Sequence, residues 1–71
     1  MIAALVRQAR EARSLTQEGL AELAEVSLET VGRIEQGRRC PSVPMLLRLA
    51  AALDVHPGEL LPRIPAGQML R

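Results

Sequence analysis

The chain contains no phenylalanine, tyrosine or tryptophan, and that absence narrows its folds more than any residue it does contain. Sheet proteins lean on aromatic and β-branched side chains to fill the space over a pleated surface. Here the apolar 48% comes almost wholly from leucine, alanine, valine, isoleucine and methionine, a mixture that favours helix. The core must be aliphatic and must lie between helices. At 71 residues the chain makes one domain and buries only about 60% of the surface its unfolded form exposes. That leaves no room for a second domain or a deep catalytic cleft.

Helical spacing is legible along most of the chain. Ile2, Val6 and Ala9 share one face of a first helix over residues 2–13, with Arg7 and Glu11 opposite. Ser14 and Leu15 break it, and Thr16 is an N-cap for a second helix over 17–24 with the stripe Leu20, Ala21, Leu23 and Ala24. After a Glu25-Val26 turn, Ser27 caps a third helix reaching about residue 36, with Leu28, Val31 and Ile34 at intervals of three. Gly37 supplies the left-handed residue that ends it. Cys40 precedes a proline and so belongs to a loop, and Ser42 caps a fourth helix over 43–53 carrying Leu46, Leu47, Leu49, Ala50 and Leu53. Pro44 falls in its tolerant first turn. The segment from His56 to Leu61 reads as a short fifth helix with Pro57 first and Glu59 in its first turn. The expectation is an all-α, compact five-helix domain over 1–61, followed by a Pro- and Gly-containing tail, 62–71, that is either disordered or a dimerisation arm.

Several function classes fall away. A lone cysteine, Cys40, permits neither an internal disulfide nor a zinc site and suits a reducing compartment. Met1 to Val6 run directly into Arg7, Arg10 and Arg13, which suits neither a signal peptide nor a membrane span, so a cytoplasmic protein without membrane association is expected. His56 has no Cys, Asp or Ser spaced to work with it and reads as a loop or capping residue. No catalytic residue, metal or cofactor is expected. The net charge of +1, with every basic residue an arginine, does not by itself announce nucleic acid.

What does point to nucleic acid is the arrangement within residues 17–36. A helix-turn-helix needs a small residue at the helix crossing, a permissive turn, and apolar anchors that set the angle of the second helix. Ala21, Glu25-Val26, Val31 and Ile34 meet those demands. Through LTQEGLAELAEVSLETVGRIEQGRRCPS and the later LLRLAAALDV and GELL, the chain resembles the Cro/Xre, phage-repressor-like helix-turn-helix family, with the lambda repressor-like fold, over roughly residues 2–61.

The resemblance implies double-stranded DNA as partner, with the third helix (27–36) in the major groove and the second crossing the backbone. It places Gln17 on a phosphate and beside a base, and Leu28, Glu29, Thr30 and Arg33 on the outward face as base readers. Arg33 can donate twice to guanine, Leu28 can pack on a thymine methyl, and Glu29 can accept from cytosine. The plainer reading of Glu29 is a first-turn carboxylate that suits the helix dipole. Arg38, Arg39 and Ser42 fall at phosphate-contacting positions. Arg10 and Glu35 match a partly buried ion pair that joins the first helix to the third. The sequence departs from the family pattern at Glu25, where glycine is usual, at Ser14, where glycine or asparagine often ends the first helix, and at Gly32, where serine is commoner; each should cost about 1 kcal/mol.

The apolar Leu60, Leu61, Ile64, Met69 and Leu70 suggest either packing on the domain's own core or a two-fold interface built on Leu60, Leu61 and Ile64. One module reads few base pairs, whereas two recognition helices about 34 Å apart read a palindrome, which favours a homodimer. The expected function is a sequence-specific transcriptional repressor at an inverted repeat. The alternative is a protein-interaction module, such as an antitoxin-like neutraliser of a partner protein, that keeps the helix-turn-helix fold.

Overall fold

The computed structural model describes residues 2–61. It contains the helices α1 (Ile2–Ala12), α2 (Gln17–Ala24), α3 (Leu28–Glu35) and α4 (Val43–Leu53), then a 3-10 turn, Pro57–Leu60. No strand occurs among the described residues, so the fold is all-α. The expected fifth helix is not an α-helix. Pro62 disfavours a helical backbone at Leu61, which is extended (φ −103, ψ 141), so only four residues remain between the cap and that break and they are held by i to i+3 bonds. The Glu59 amide donates to the His56 carbonyl at 2.8 Å and the Leu61 amide to the Gly58 carbonyl at 3.3 Å.

Helix starts follow the capping chemistry. The side chains of Thr16, Ser27 and Ser42 accept from the amides of Gly19, Thr30 and Met45, satisfying donors that have no partner inside the helix. His56 caps the 3-10 turn, accepting through Nδ1 from Gly58 at 3.0 Å while Glu59 accepts from the His56 amide at 2.8 Å. Helix α3 starts directly after its expected cap, Ser27, and ends one residue short of the expected limit, because Gln36 is its C-cap. Arg13, expected to end α1, belongs to the turn after it.

All four helices end the same way. Ser14 (φ 56), Glu25 (φ 58), Gly37 (φ 76) and Asp54 (φ 56) are left-handed. Each donates three residues back while the next amide reaches five back: Leu15 to Arg10, Val26 to Ala21, Arg38 to Arg33 and Val55 to Ala50. This is the Schellman arrangement, in which the residue after the left-handed one usually packs on the helix. Leu15, Val26 and Val55 do pack against the core. After α3 that place is taken by the exposed Arg38, so the chain leaves the core there and projects outward.

The core is the aliphatic one that the composition demands. Leu20, Ala21 and Ala24 of α2 meet Val31 and Ile34 of α3, with Leu46, Leu49, Ala50 and Leu53 of α4 and Val6 of α1 around them. Helix α2 packs on both α3 and α4, and α1 packs on α3. The 3-10 turn folds against α4 and α1, which drives Leu60 to 0% exposure. Of the two places the sequence allows Leu60, the domain's own core and a subunit interface, the structure puts it in the core of its own protomer. Leu23 and Leu47, expected in the buried stripes of α2 and α4, are more than half exposed. No helix of the described residues is long and apolar enough to cross a membrane.

Candidate nucleic-acid interface

Helix α3 buries Val31 and Ile34 and turns Leu28, Glu29 and Arg33 outward, all three exposed. These outward residues do not stand alone. Arg33 Nη2 donates to Glu29 Oε2 at 3.1 Å across one helical turn, both side chains well solvated. Such a pair is worth only about 0.3–0.5 kcal/mol, so it orients Arg33 without withholding it. Thr30 is half-buried, and its hydroxyl accepts from Ser27 Oγ at 2.8 Å. The structure thus turns Thr30 toward the cap of its own helix rather than fully outward.

The angle of α3 is fixed at its far end. Arg10 of α1 grips Glu35 with two bonds, Nε to Oε2 at 2.7 Å and Nη2 to Oε1 at 3.0 Å. Its third nitrogen, Nη1, donates to the Leu15 carbonyl at 2.8 Å. Gln17, the first residue of α2, donates from Nε2 to Glu35 Oε1 at 3.1 Å. One carboxylate, 3% exposed, therefore ties α1 and the start of α2 to the end of α3, and Arg10 adds the turn after α1. The hydrogen bonds that Arg10 donates to Glu35 raise its pKa above the ordinary value, against the lowering effect of burial and aided by the charges of Glu35 and Glu11. The Gln17 and Leu15 bonds lay outside the sequence reading, because spacing along a chain says nothing about which helix ends converge.

Beyond Gly37, Arg38 and Arg39 are exposed, and neither forms an ion pair among the described residues. Ser42 follows at the start of α4, its Oγ accepting from the Met45 amide at 3.3 Å. Cys40 lies exposed in the same loop. Among the described residues no three His, Cys, Asp or Glu side chains gather as a metal site.

Gly19 shows why the first helix of the motif begins as tightly as it does. A Cβ there would lie 3.3 Å from Thr16 Oγ1 and 3.5 Å from Leu15, so a side chain would crowd the capping hydroxyl while touching Leu15 at an ordinary distance. Ala21 and Ala24, each nearly buried, let α2 and α3 approach closely at their crossing.

The helix-turn-helix family model matches residues 6–60, spanning the whole of this arrangement. The chain belongs to the Cro/Xre-like helix-turn-helix family. This is a family of DNA-binding transcriptional regulators and not of enzymes. The Cro/Xre-like domain is 35% identical over 57 residues to the uncharacterized HTH-type transcriptional regulator YazB of Bacillus subtilis (strain 168), covering 80% of this chain and 83% of that protein. It is 43% identical over 49 residues to an uncharacterized HTH-type transcriptional regulator of Methanothermobacter thermautotrophicus (strain Delta H), covering 69% and 71%. Among solved structures it is similar to the restriction-modification controller protein C.AhdI from Aeromonas hydrophila, with 40% identity, a TM-score of 0.82, and coverage of 84% of this chain and 91% of that one. At that level of identity the Cro/Xre-like likeness extends beyond backbone shape to sequence.

Proposed function

We propose that the protein is a cytoplasmic, homodimeric repressor that reads an inverted repeat with α3 in the major groove of each half-site. The observation that carries this reading is the outward face of α3, held at a set angle by the Arg10, Glu35 and Gln17 network and flanked by Arg38 and Arg39. In this reading Arg33, Leu28 and Glu29 address base edges, with Thr30 and Gln17 at the margins, while Arg38, Arg39, Ser42 and the second amide hydrogen of Gln17 meet phosphates. The likeness to a restriction-modification controller protein supports a regulatory role.

The exposed Leu61 is the described residue of the proposed two-fold interface that remains outward. Ile64, proposed with it, lies outside the described residues. Leu61→Glu is expected to reduce the mass seen by analytical ultracentrifugation from dimer to monomer, and an unchanged mass removes this interface.

The test of the DNA reading is fluorescence-anisotropy titration against the duplex upstream of the protein's own gene and against a scrambled duplex, at two salt concentrations. Preference for the first by roughly a thousandfold, with affinity falling as salt rises, is the expected result. Equal and feeble binding to both would reject operator reading at its own promoter and turn attention to a protein partner.

A further inference from the structure

We propose that Glu29 confers sequence discrimination on the α3 surface by accepting from a cytosine next to the guanine taken by Arg33. This rests on the DNA-reading assignment above and goes beyond it in giving one residue the selective role. The Glu29 and Arg33 side chains are 72% and 53% exposed, so neither is placed by packing. Arg33 is the side chain that Glu29 bonds among the described residues. Positions one turn apart hold their Cβ atoms roughly 5–6 Å from each other, a span between one and two base steps of about 3.4 Å. The two side chains can therefore address neighbouring base pairs at the same time.

An exposed pair at this spacing is weak, and it offers Arg33 one bond where guanine O6 and N7 offer two. Arg33 leaves readily, and the carboxylate left behind faces the groove. A carboxylate only accepts. Guanine O6 and N7 and thymine O4 are acceptors and repel it, and adenine sets its amino group beside the acceptor N7. Cytosine presents its amino donor without a neighbouring ring acceptor on that edge. Phosphates repel the carboxylate everywhere. Glu29 thus acts mainly by weakening the complex at wrong sequences, the repulsive half of specificity. Arg33 alone is attracted to any guanine and to any phosphate, and could not do this. A net charge of only +1 fits the same division of labour, because it keeps the attraction to arbitrary DNA low.

The test is selection from a duplex pool randomised over the site, using the full chain as wild type, Glu29→Gln and Glu29→Ala, followed by anisotropy titration of each against the unselected pool. Wild type is expected to enrich cytosine beside a guanine in each half-site, by roughly fivefold or more over other bases at that position. Glutamine pairs with adenine through N6 and N7, so Glu29→Gln should move that one position to adenine and leave the guanine unchanged. Glu29→Ala should relax it to any base, and both variants should bind the unselected pool more tightly than wild type. Circular-dichroism melts that match wild type establish that the folds are equal. The same enriched sequence and the same pool affinity for all three proteins would overturn the role of Glu29 alone. A wild type that enriches no sequence would overturn the DNA-reading assignment and this proposal with it.

Discussion

Taking away the Glu35 carboxylate strands three bonded donors at once, two on Arg10 and one on Gln17. Removing one partner of a buried pair typically costs about 3–5 kcal/mol, whereas exchanging both for apolar residues can be nearly neutral. Because Arg10 keeps some solvent contact, at 13% exposure, Glu35→Ala is expected to lower the unfolding free energy in urea by about 3 kcal/mol. The double variant Arg10→Met/Glu35→Leu should recover most of that loss. The raised Arg10 pKa places its pH dependence on the alkaline side. Stability linked to a raised pKa is complete below the unfolded value and is lost only as pH climbs through the folded one. The contribution of Arg10 should therefore be constant from neutral pH to well into the alkaline range. Glu25 works in the opposite direction. A non-glycine left-handed residue is strained, so Glu25→Gly should stabilise by about 0.5–1 kcal/mol after the entropy glycine adds to the unfolded chain, seen as a melting temperature several degrees higher. Asp54→Gly should gain less, since aspartate tolerates that backbone better and also bonds Arg13 at 3.3 Å.

Helix α3 carries an avoidable weakness at Gly32. A Cβ built there meets nothing within 4 Å, and glycine inside a helix costs about 1 kcal/mol relative to alanine. Gly32→Ala is expected to raise the thermal midpoint while weakening DNA binding, if the groove edge approaches the bare backbone; unchanged binding would show that the close approach does not occur. Where helices begin was legible in the sequence because serine and threonine caps act locally. Where they end was legible only in part. Ser14 and Glu25 drew notice as departures from a glycine pattern, yet Asp54 has the same conformation and passed unremarked. The shared signal is the apolar residue that follows, Leu15, Val26 and Val55, each packing back on the core. Leu23 and Leu47 misled for an angular reason. At about 100° per residue, each lies roughly 60° outside the arc that its helix buries, so periodicity admits it to the stripe while packing does not.

Leu60 closes the molecule from the far end of the chain, bringing the 3-10 turn onto α1 and α4. Truncating a buried leucine typically costs 2–5 kcal/mol, and a domain this small has little more than that in hand. Leu60→Ala is accordingly expected to leave a large unfolded fraction at 37 °C by far-UV circular dichroism, whereas Leu61→Ala, on a residue exposed in the single chain, should leave the fold intact and lower the melt only as far as it weakens the dimer. The sequence could not separate the two leucines, because adjacent positions are told apart only by the direction in which the turn folds back. The Arg10 and Glu35 pairing was legible only through the family resemblance, since twenty-five residues separate the partners.

At eight residues, α3 is too short to persist as a helix by itself, so its reading face exists only while the whole core is assembled. Anything that binds the folded form alone stabilises it by mass action, and proteases act on the fraction that opens. A copy resting on its DNA site opens less often than a free one. A protease should therefore cut free copies before those seated on DNA, and equal digestion rates with and without the selected duplex would show that binding does not protect the fold.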